Sequence, residues 1–221
     1  IISADQIIIA AGARPHILPV IEQSGVPYYT NENVLRLPQL PQTMIILGGG
    51  FIAVEFAHIF SALGVDVTVV NRSPRLLKHL DEQVSDRFTK LASERWNTRL
   101  GYEVAAAEEN SNGSVTITLD NGEKLTADVL VSATGRTPNG DQMDLDKGGV
   151  EMDGQRIKVD EYGRTTAPGV WAFGDVSSPF QLKHVANAEA RVIEHNVLNP
   201  DDLRAFPHKH VPAAIFTNPQ I

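Results

Sequence analysis

Gly48, Gly50 and Ala53 stand in the spacing G-x-G-x-x-A, directly after the apolar run Met44–Leu47 and at the head of a longer apolar stretch from Phe51 to Leu63. Each small residue answers a separate need of dinucleotide binding. Gly48 permits a tight turn, Gly50 lets a pyrophosphate approach the backbone, and Ala53 lets helix and strand pack closely. The helix then turns its free N–H groups toward the phosphates. Unrelated proteins carry the same spacing in glycine-rich turns. What gives it meaning here is a strand before it and a helix and strand after it, within one βαβ length.

Two further sets of side chains bear on the same chemistry. Asn71 stands 21 residues after Gly50, where a dinucleotide fold that selects NAD carries an acidic residue for the ribose 2′-hydroxyl. Instead of an acid, Asn71–Lys78 carries Arg72, Arg75 and Lys78 and no carboxylate. An anion site and a solvated basic loop are the two readings of such a run. Glu55 interrupts an apolar turn of the helix, so either it is paired or it lies with His58 and Ser61 on a solvent-facing strip.

Composition excludes other chemistries. The 221 residues contain no cysteine, so the chain offers no disulfide, thiolate metal site or redox thiol of its own. A net charge of −8 argues against a nucleic-acid partner. No apolar run reaches the ~18 residues of a membrane-spanning helix. No second His, Asp or Glu stands at ligand spacing from His184, so no metal site is expected. Ile1-Ile2-Ser3 resembles neither an initiator start nor a signal peptide, and the chain reads as a piece of something longer.

The elements that must position these residues follow from periodicity. Ala4–Pro15 is a buried-type strand ending in Gly12 and Pro15, and Ala127–Pro138 repeats its pattern. Chance similarity between two buried strands is one explanation of that repeat. The other is a domain inserted into another, with one strand-to-turn unit at the exit and one at the return. Residues 16–42 read as a proline-rich excursion, Met44–Leu47 and Val65–Val70 as strands, and Phe51–Leu63 as a helix buried on most of its circumference. Leu80, Val84, Phe88 and Leu91 predict a helix that begins near Asp81 and Glu82. Asn112-Gly113 and Asn121-Gly122 separate three short strands at 103–107, 114–119 and 123–126. Further strands are expected around Val150, at 156–160 and 169–175, with a helix over 186–198 and, at 211–217, the start of a strand that has no partner in this chain.

Five motifs together resemble the pyridine nucleotide–disulfide oxidoreductases, flavoproteins that include glutathione reductase and dihydrolipoamide dehydrogenase. They are Ala10-Ala-Gly-Ala-Arg-Pro15, Gly48-Gly-Gly-Phe-Ile-Ala-Val-Glu55, Ala133-Thr-Gly-Arg-Thr-Pro-Asn139, Gly169-Val-Trp-Ala-Phe-Gly-Asp-Val176 and Val211-Pro-Ala-Ala-Ile-Phe-Thr217. Their order and spacing cover essentially the whole chain. Within the family, Glu55–Gly64 and Gln181–Arg191 look most like the actinobacterial branch that reduces the mycothiol disulfide.

The resemblance implies an α/β fold, with a Rossmann-like NAD(P)-binding domain (a parallel sheet plus an antiparallel meander) over 16–132. That domain would be inserted into a partial FAD-binding domain made of 1–15 and 133–200, followed by a linker and the first strand of a dimerisation domain in 201–221. For NADPH it implies contacts from Gly48, Gly49, Gly50, Phe51, Ile52, Glu55, Arg72, Arg75, Lys78 and Gly135, with Arg72 and Lys78 at positions used for the 2′-phosphate. For FAD it implies Gly12, Arg136, Gly174, Asp175, Lys183 and His184. Phe51 would cover the nicotinamide pocket, with core packing as the alternative. Glu55 would meet a lysine beside the flavin, in a part of the family fold without counterpart here. The family's FAD-binding G-x-G-x-x-G, redox cysteine pair and C-terminal acid–base histidine also have no counterpart here, so no catalytic residue is assigned and the isolated chain is expected to be inactive. The implied whole is a cytoplasmic homodimer of redox homeostasis acting on a small-molecule disulfide. The rival readings are a dihydrolipoamide dehydrogenase-like NADH enzyme and a nucleotide-binding module that does not turn over.

Overall fold

A computed structural model describes residues 3–221. The first two residues, which the sequence reading placed in the opening segment, lie outside the described residues. The chain divides into two compact units, one made of 1–14 and 136–213, the other of 15–135 and 214–221. The first unit opens with β1 (Ile7–Ile9) and β2 (Ala13–Pro15). The chain then builds most of the second unit before it returns.

In that second unit the 16–42 stretch holds α1 (Pro19–Ser24), which the proline-rich sequence did not announce. Next come β3 (Thr43–Leu47), α2 (Phe51–Ala62), β4 (Asp66–Asn71), α3 (Glu82–Ser93) and β5 (Asn97–Leu100). The meander β6 (Val104–Glu109), β7 (Val115–Leu119) and β8 (Lys124–Ala127) leads into β9 (Val129–Ser132). The parallel sheet has the order β5-β4-β3-β9, and the meander is antiparallel with β7 in the middle.

Alternation along β3 explains the layering. Met44 and Ile46 face α2 and α3, packing with Ala53, Val54, Ala57, Phe60 and Phe88. Ile45 and Leu47 face the other way, onto Val115, Ile117 and Leu119 of the meander and Ile21 of α1. All four β3 side chains are at most 2% exposed, each worth about 1.5–3 kcal/mol in removed apolar surface. Helices on one face and a second sheet on the other therefore hold β3 from both sides, which is why it reads as a continuous apolar run. Asp128 pins the strand's start, accepting from Gln42 N at 3.0 Å, Thr43 N at 2.9 Å and the Thr43 hydroxyl at 3.0 Å.

Helix α2 is less enclosed than its composition suggests. Ala53, Val54, Phe56, Ala57 and Phe60 are buried, but Phe51 and Ile59 are exposed because the sheet covers only one side of the helix. Segment 211–217, expected as a strand, forms none. The segment passes from the first unit to the second after residue 213, and among the described residues no strand pairs with it; Ile215 enters the core beside α2, and Ile215 and Ile221 exchange backbone hydrogen bonds.

On returning to the first unit the chain forms β10 (Arg136–Pro138), which pairs with β2, and a small hairpin of β11 (Met152–Asp153) with β12 (Arg156–Ile157). β13 (Val170–Ala172) pairs in parallel with β1, and α4 (Lys183–Leu198) closes the unit. Val150, Ile157, Ala167, Ala172 and Val176 form its core. No helix among the described residues is long and apolar enough to cross a membrane.

Candidate functional site

Gly48 leaves the C-terminal end of β3, whose two neighbours are β4 and β9. After β3 the chain moves to β4 on one side and returns as β9 on the other, the place where open α/β sheets leave a crevice for ligands. Three consecutive glycines there have three different reasons to be glycine. Gly48 has φ +123°, and a Cβ on it would collide with the Ala133 carbonyl. A Cβ on Gly49 would sit 2.5 Å from the Asn71 amide nitrogen. At Gly50 a Cβ would meet nothing within 4 Å, so this glycine faces open space. Gly50 is also the N-cap of α2, and no side chain caps that terminus, leaving its first amides available to a ligand. A pyrophosphate fits this turn on both counts.

The basic loop is tied to the turn. Leu77 N donates to Gly49 O at 2.7 Å, and Gly48 N donates to Val70 O at 2.8 Å. Asn71 shapes the loop from within, its side-chain amide donating to Ser73 O at 3.1 Å and Arg75 O at 3.2 Å. Sequence reasoning saw in Asn71 only a missing acid. Here it is both the brace of the loop and the wall against which Gly49 packs.

The three cations of the loop part company. Arg72 and Lys78 are exposed, and among the described residues no carboxylate pairs with either. Arg75, expected with them, is turned the other way: its Nη1 donates to Glu82 Oε1 at 2.7 Å and to Asp86 Oδ1 at 3.2 Å. The hydrogen bond to Glu82, followed by the charge of Asp86, raises its pKa above the ordinary guanidinium value. Arg75 thus anchors the loop to α3. The run is free of carboxylates only in sequence, because α3 supplies two from farther on.

Glu55 is half-buried and has a partner that the sequence did not suggest: its Oε1 accepts Phe216 N at 2.9 Å. Ile52 is half-buried at the start of α2, and Phe51 is 42% exposed, which rules out core packing for it. Gly135, at φ +132°, ends the segment after β9, and its carbonyl accepts His16 N at 2.9 Å.

In the first unit Asp175 follows Gly174, which takes φ +72°. Asp175 Oδ2 lies 3.5 Å from Arg136 Nη2, and the same guanidinium nitrogen donates to Ala13 O at 2.6 Å. Gly12, at φ +66°, precedes β2. Gly12, Arg136, Gly174 and Asp175 thus sit on the β2–β10 pair and the turn after β13. Lys183 and His184 are exposed at the head of α4, where His184 Nε2 is hydrogen-bonded to Pro212 O at 2.9 Å. Arg14 grips Asp141 through both nitrogens at 2.8 and 2.7 Å. The hydrogen bond from Arg14 holds the Asp141 carboxyl below its ordinary range. The G-x-G-x-x-A spacing of residues 48–53 has no second copy in the sequence beside these groups.

A glycine turn on a helix without a side-chain cap, at the switch point of a parallel sheet with an antiparallel meander behind it, is the arrangement of a Rossmann-like fold. The chain belongs to the pyridine nucleotide-disulphide oxidoreductase family, whose model matches residues 1–190. Among curated proteins it is 49% identical to mycothione reductase of Mycobacterium tuberculosis (strain ATCC 25618 / H37Rv) over 223 aligned residues, covering 99% of this chain and 48% of that protein. It is 36% identical to glutathione reductase of Burkholderia cepacia, covering 99% of this chain and 48% of that protein. Among solved structures it superposes on the HOCl-induced flavoprotein disulfide reductase RclA from Escherichia coli, in its Cu(II) complex. The TM-score is 0.88 and the identity 26%, with 98% of this chain and 49% of that one covered. The chain spans about half the length of the curated relatives it matches.

Proposed function

We propose that this chain is the NADPH-binding portion of an FAD-dependent disulfide reductase whose substrate is a low-molecular-weight disulfide, mycothione by its similarity to mycothione reductase. The observation that carries the choice of NADPH is the loop beside the Gly48–Gly50 turn: no acid stands at Asn71, and Arg72 and Lys78 are exposed with no carboxylate partner among the described residues. A 2′-hydroxyl is selected by a carboxylate, whereas a 2′-phosphate of about two negative charges calls for cations.

The chain's own groups have separate tasks in this reading. The first amides of α2 hold the pyrophosphate. Arg72 grips the 2′-phosphate through paired hydrogen bonds, with Lys78 as a second charge. Phe51, Ile52, Glu55 and Gly135 are read as contacts of the nicotinamide end. Gly12, Arg136, Gly174, Asp175, Lys183 and His184 lie on the flavin side. A bound FAD would supply two-electron transfer chemistry between the nicotinamide and a cysteine disulfide read as lying outside this chain. The domains are read as 16–132 for NADPH and 1–15 with 133–200 for part of the FAD domain. The whole protein is read as a cytoplasmic homodimer, and the isolated chain as without turnover.

Calorimetric titration of Arg72→Ala with NADPH and NADH tests the assignment. Charge-assisted hydrogen bonds of this kind are strong enough that NADPH affinity should fall roughly tenfold to a hundredfold. NADH affinity should change little. Equal weakening of both nucleotides would make Arg72 a structural residue and remove the case for NADPH.

A further inference from the structure

Helix α4 carries two fully buried polar side chains, Glu189 and Asn196, seven residues apart on one face. Asn196 secures the segment that follows the helix: its amide donates to Tyr162 O and Arg204 O, and its carbonyl accepts Arg204 N. Glu189 does something different. Its Oε2 accepts the Gly174 amide at 2.7 Å, and its Oε1 lies 2.6 Å from His208 Nε2. A carboxylate only accepts, so the imidazole N–H is the donor. The His208 ring lies against Phe180 and Phe206, with centroids 5.0 and 5.3 Å away. A carboxylate with no exposed surface is costly unless its oxygens are bonded, and here each oxygen has one partner.

The place of the bond matters more than its strength. Gly174 is the hinge of the turn that presents Asp175: it takes φ +72°, and its carbonyl accepts Ser177 N at 2.9 Å and Ser178 N at 2.7 Å. With the carbonyl engaged on one side, the remaining freedom of the turn is rotation of the Gly174 amide. Glu189 removes it.

We infer that Glu189 is a positioning residue, holding the Gly174–Asp175 turn through its amide and linking that turn, through His208, to the segment 204–208. This rests on the reading of Asp175 as a flavin-side residue. In the whole protein, a displacement of segment 204–208 would then be transmitted to the orientation of Asp175.

Amide exchange and 1H–15N shifts of the labelled chain test this, with Ala172 as the internal reference because its amide bonds Gly163 O rather than Glu189. In Glu189→Ala, exchange at Gly174 should accelerate about tenfold or more relative to Ala172. In Glu189→Gln an amide oxygen still accepts the bond, so protection should return while the Gly174 proton shifts upfield against a neutral acceptor. In His208→Phe the Gly174 bond should persist while the amide of residue 208, which bonds Phe206 O, loses protection. Equal acceleration at Gly174 and Ala172, or an unchanged Gly174, would overturn the inference. If Glu189→Ala does not fold, Glu189→Gln decides: a shift centred on Gly174 supports the role, and an unmoved Gly174 overturns it. The readout involves no flavin, so its failure removes the positioning role alone and leaves the nucleotide reading to its own titration.

Discussion

At the scale of single residues, the site separates cations that are free from cations that are engaged. Arg72, Arg75 and Lys78 look equivalent in a run without carboxylates, yet Glu82 and Asp86 hold Arg75. Arg75→Ala should therefore leave NADPH affinity within about threefold of the parent while slightly lowering the melting temperature, since exposed ion pairs contribute little to stability. Calorimetry and thermal denaturation of that variant check both parts. The glycines were legible because their constraint is local: each position either bends the backbone or meets a neighbour. Arg75 was not, because its partners lie seven and eleven residues on and turn toward it only once α3 has formed. Glu55 was half legible. Its need of a partner follows from its apolar surroundings, but a backbone amide more than 150 residues away leaves no mark in the pattern around it.

At the scale of elements, periodicity located what is buried on both sides and missed what is not. Strands β3 and β4 and the meander read clearly because their apolar positions face packed layers. Strand β5, Asn97-Thr-Arg-Leu100, lies at the sheet edge, is only partly buried and has no apolar signature. Segment 211–217 has the composition of a strand, but among the described residues no strand pairs with it and it takes no strand form. Two anchors of these elements can be tested. Asp81 caps α3, accepting Gln83 N at 2.9 Å and Val84 N at 3.4 Å. Asp81→Ala should cost about 0.5–2 kcal/mol in urea denaturation. Because α3 also carries the partners of Arg75, the loss should loosen the basic loop. Asp128 titrates below its ordinary value, chiefly because Thr43 N, the Thr43 hydroxyl and Gln42 N bond its ionised form. A depressed carboxyl stabilises the fold above its unfolded pKa, and that contribution disappears as pH falls through the folded pKa. Between neutral pH and the acid side of the carboxylate range, Asp128→Asn should therefore lose less stability than the parent. Denaturation across that range measures the difference, and parallel curves would deny Asp128 this role.

At the scale of the whole molecule, the chain is two units, and it passes between them at 14–15, 135–136 and 213–214. The unit around β3 holds its own parallel sheet, helices and meander, with the Gly48–Gly50 turn at the head of α2. The other unit carries Asp175, Arg136 and the Glu189 tie. The family and this architecture were readable because five ordered motifs mark turns, and turns carry the strictest backbone requirements. The account thus makes the chain a binder of reduced pyridine nucleotide, with preference set by the loop after β4. The most direct measurement is titration of the intact chain with NADPH and with NADH at low ionic strength. The account predicts one NADPH site per chain, about tenfold or more tighter than NADH, with the preference shrinking as salt screens the phosphate. Equal affinities, a preference for NADH, or no binding of either nucleotide would contradict it.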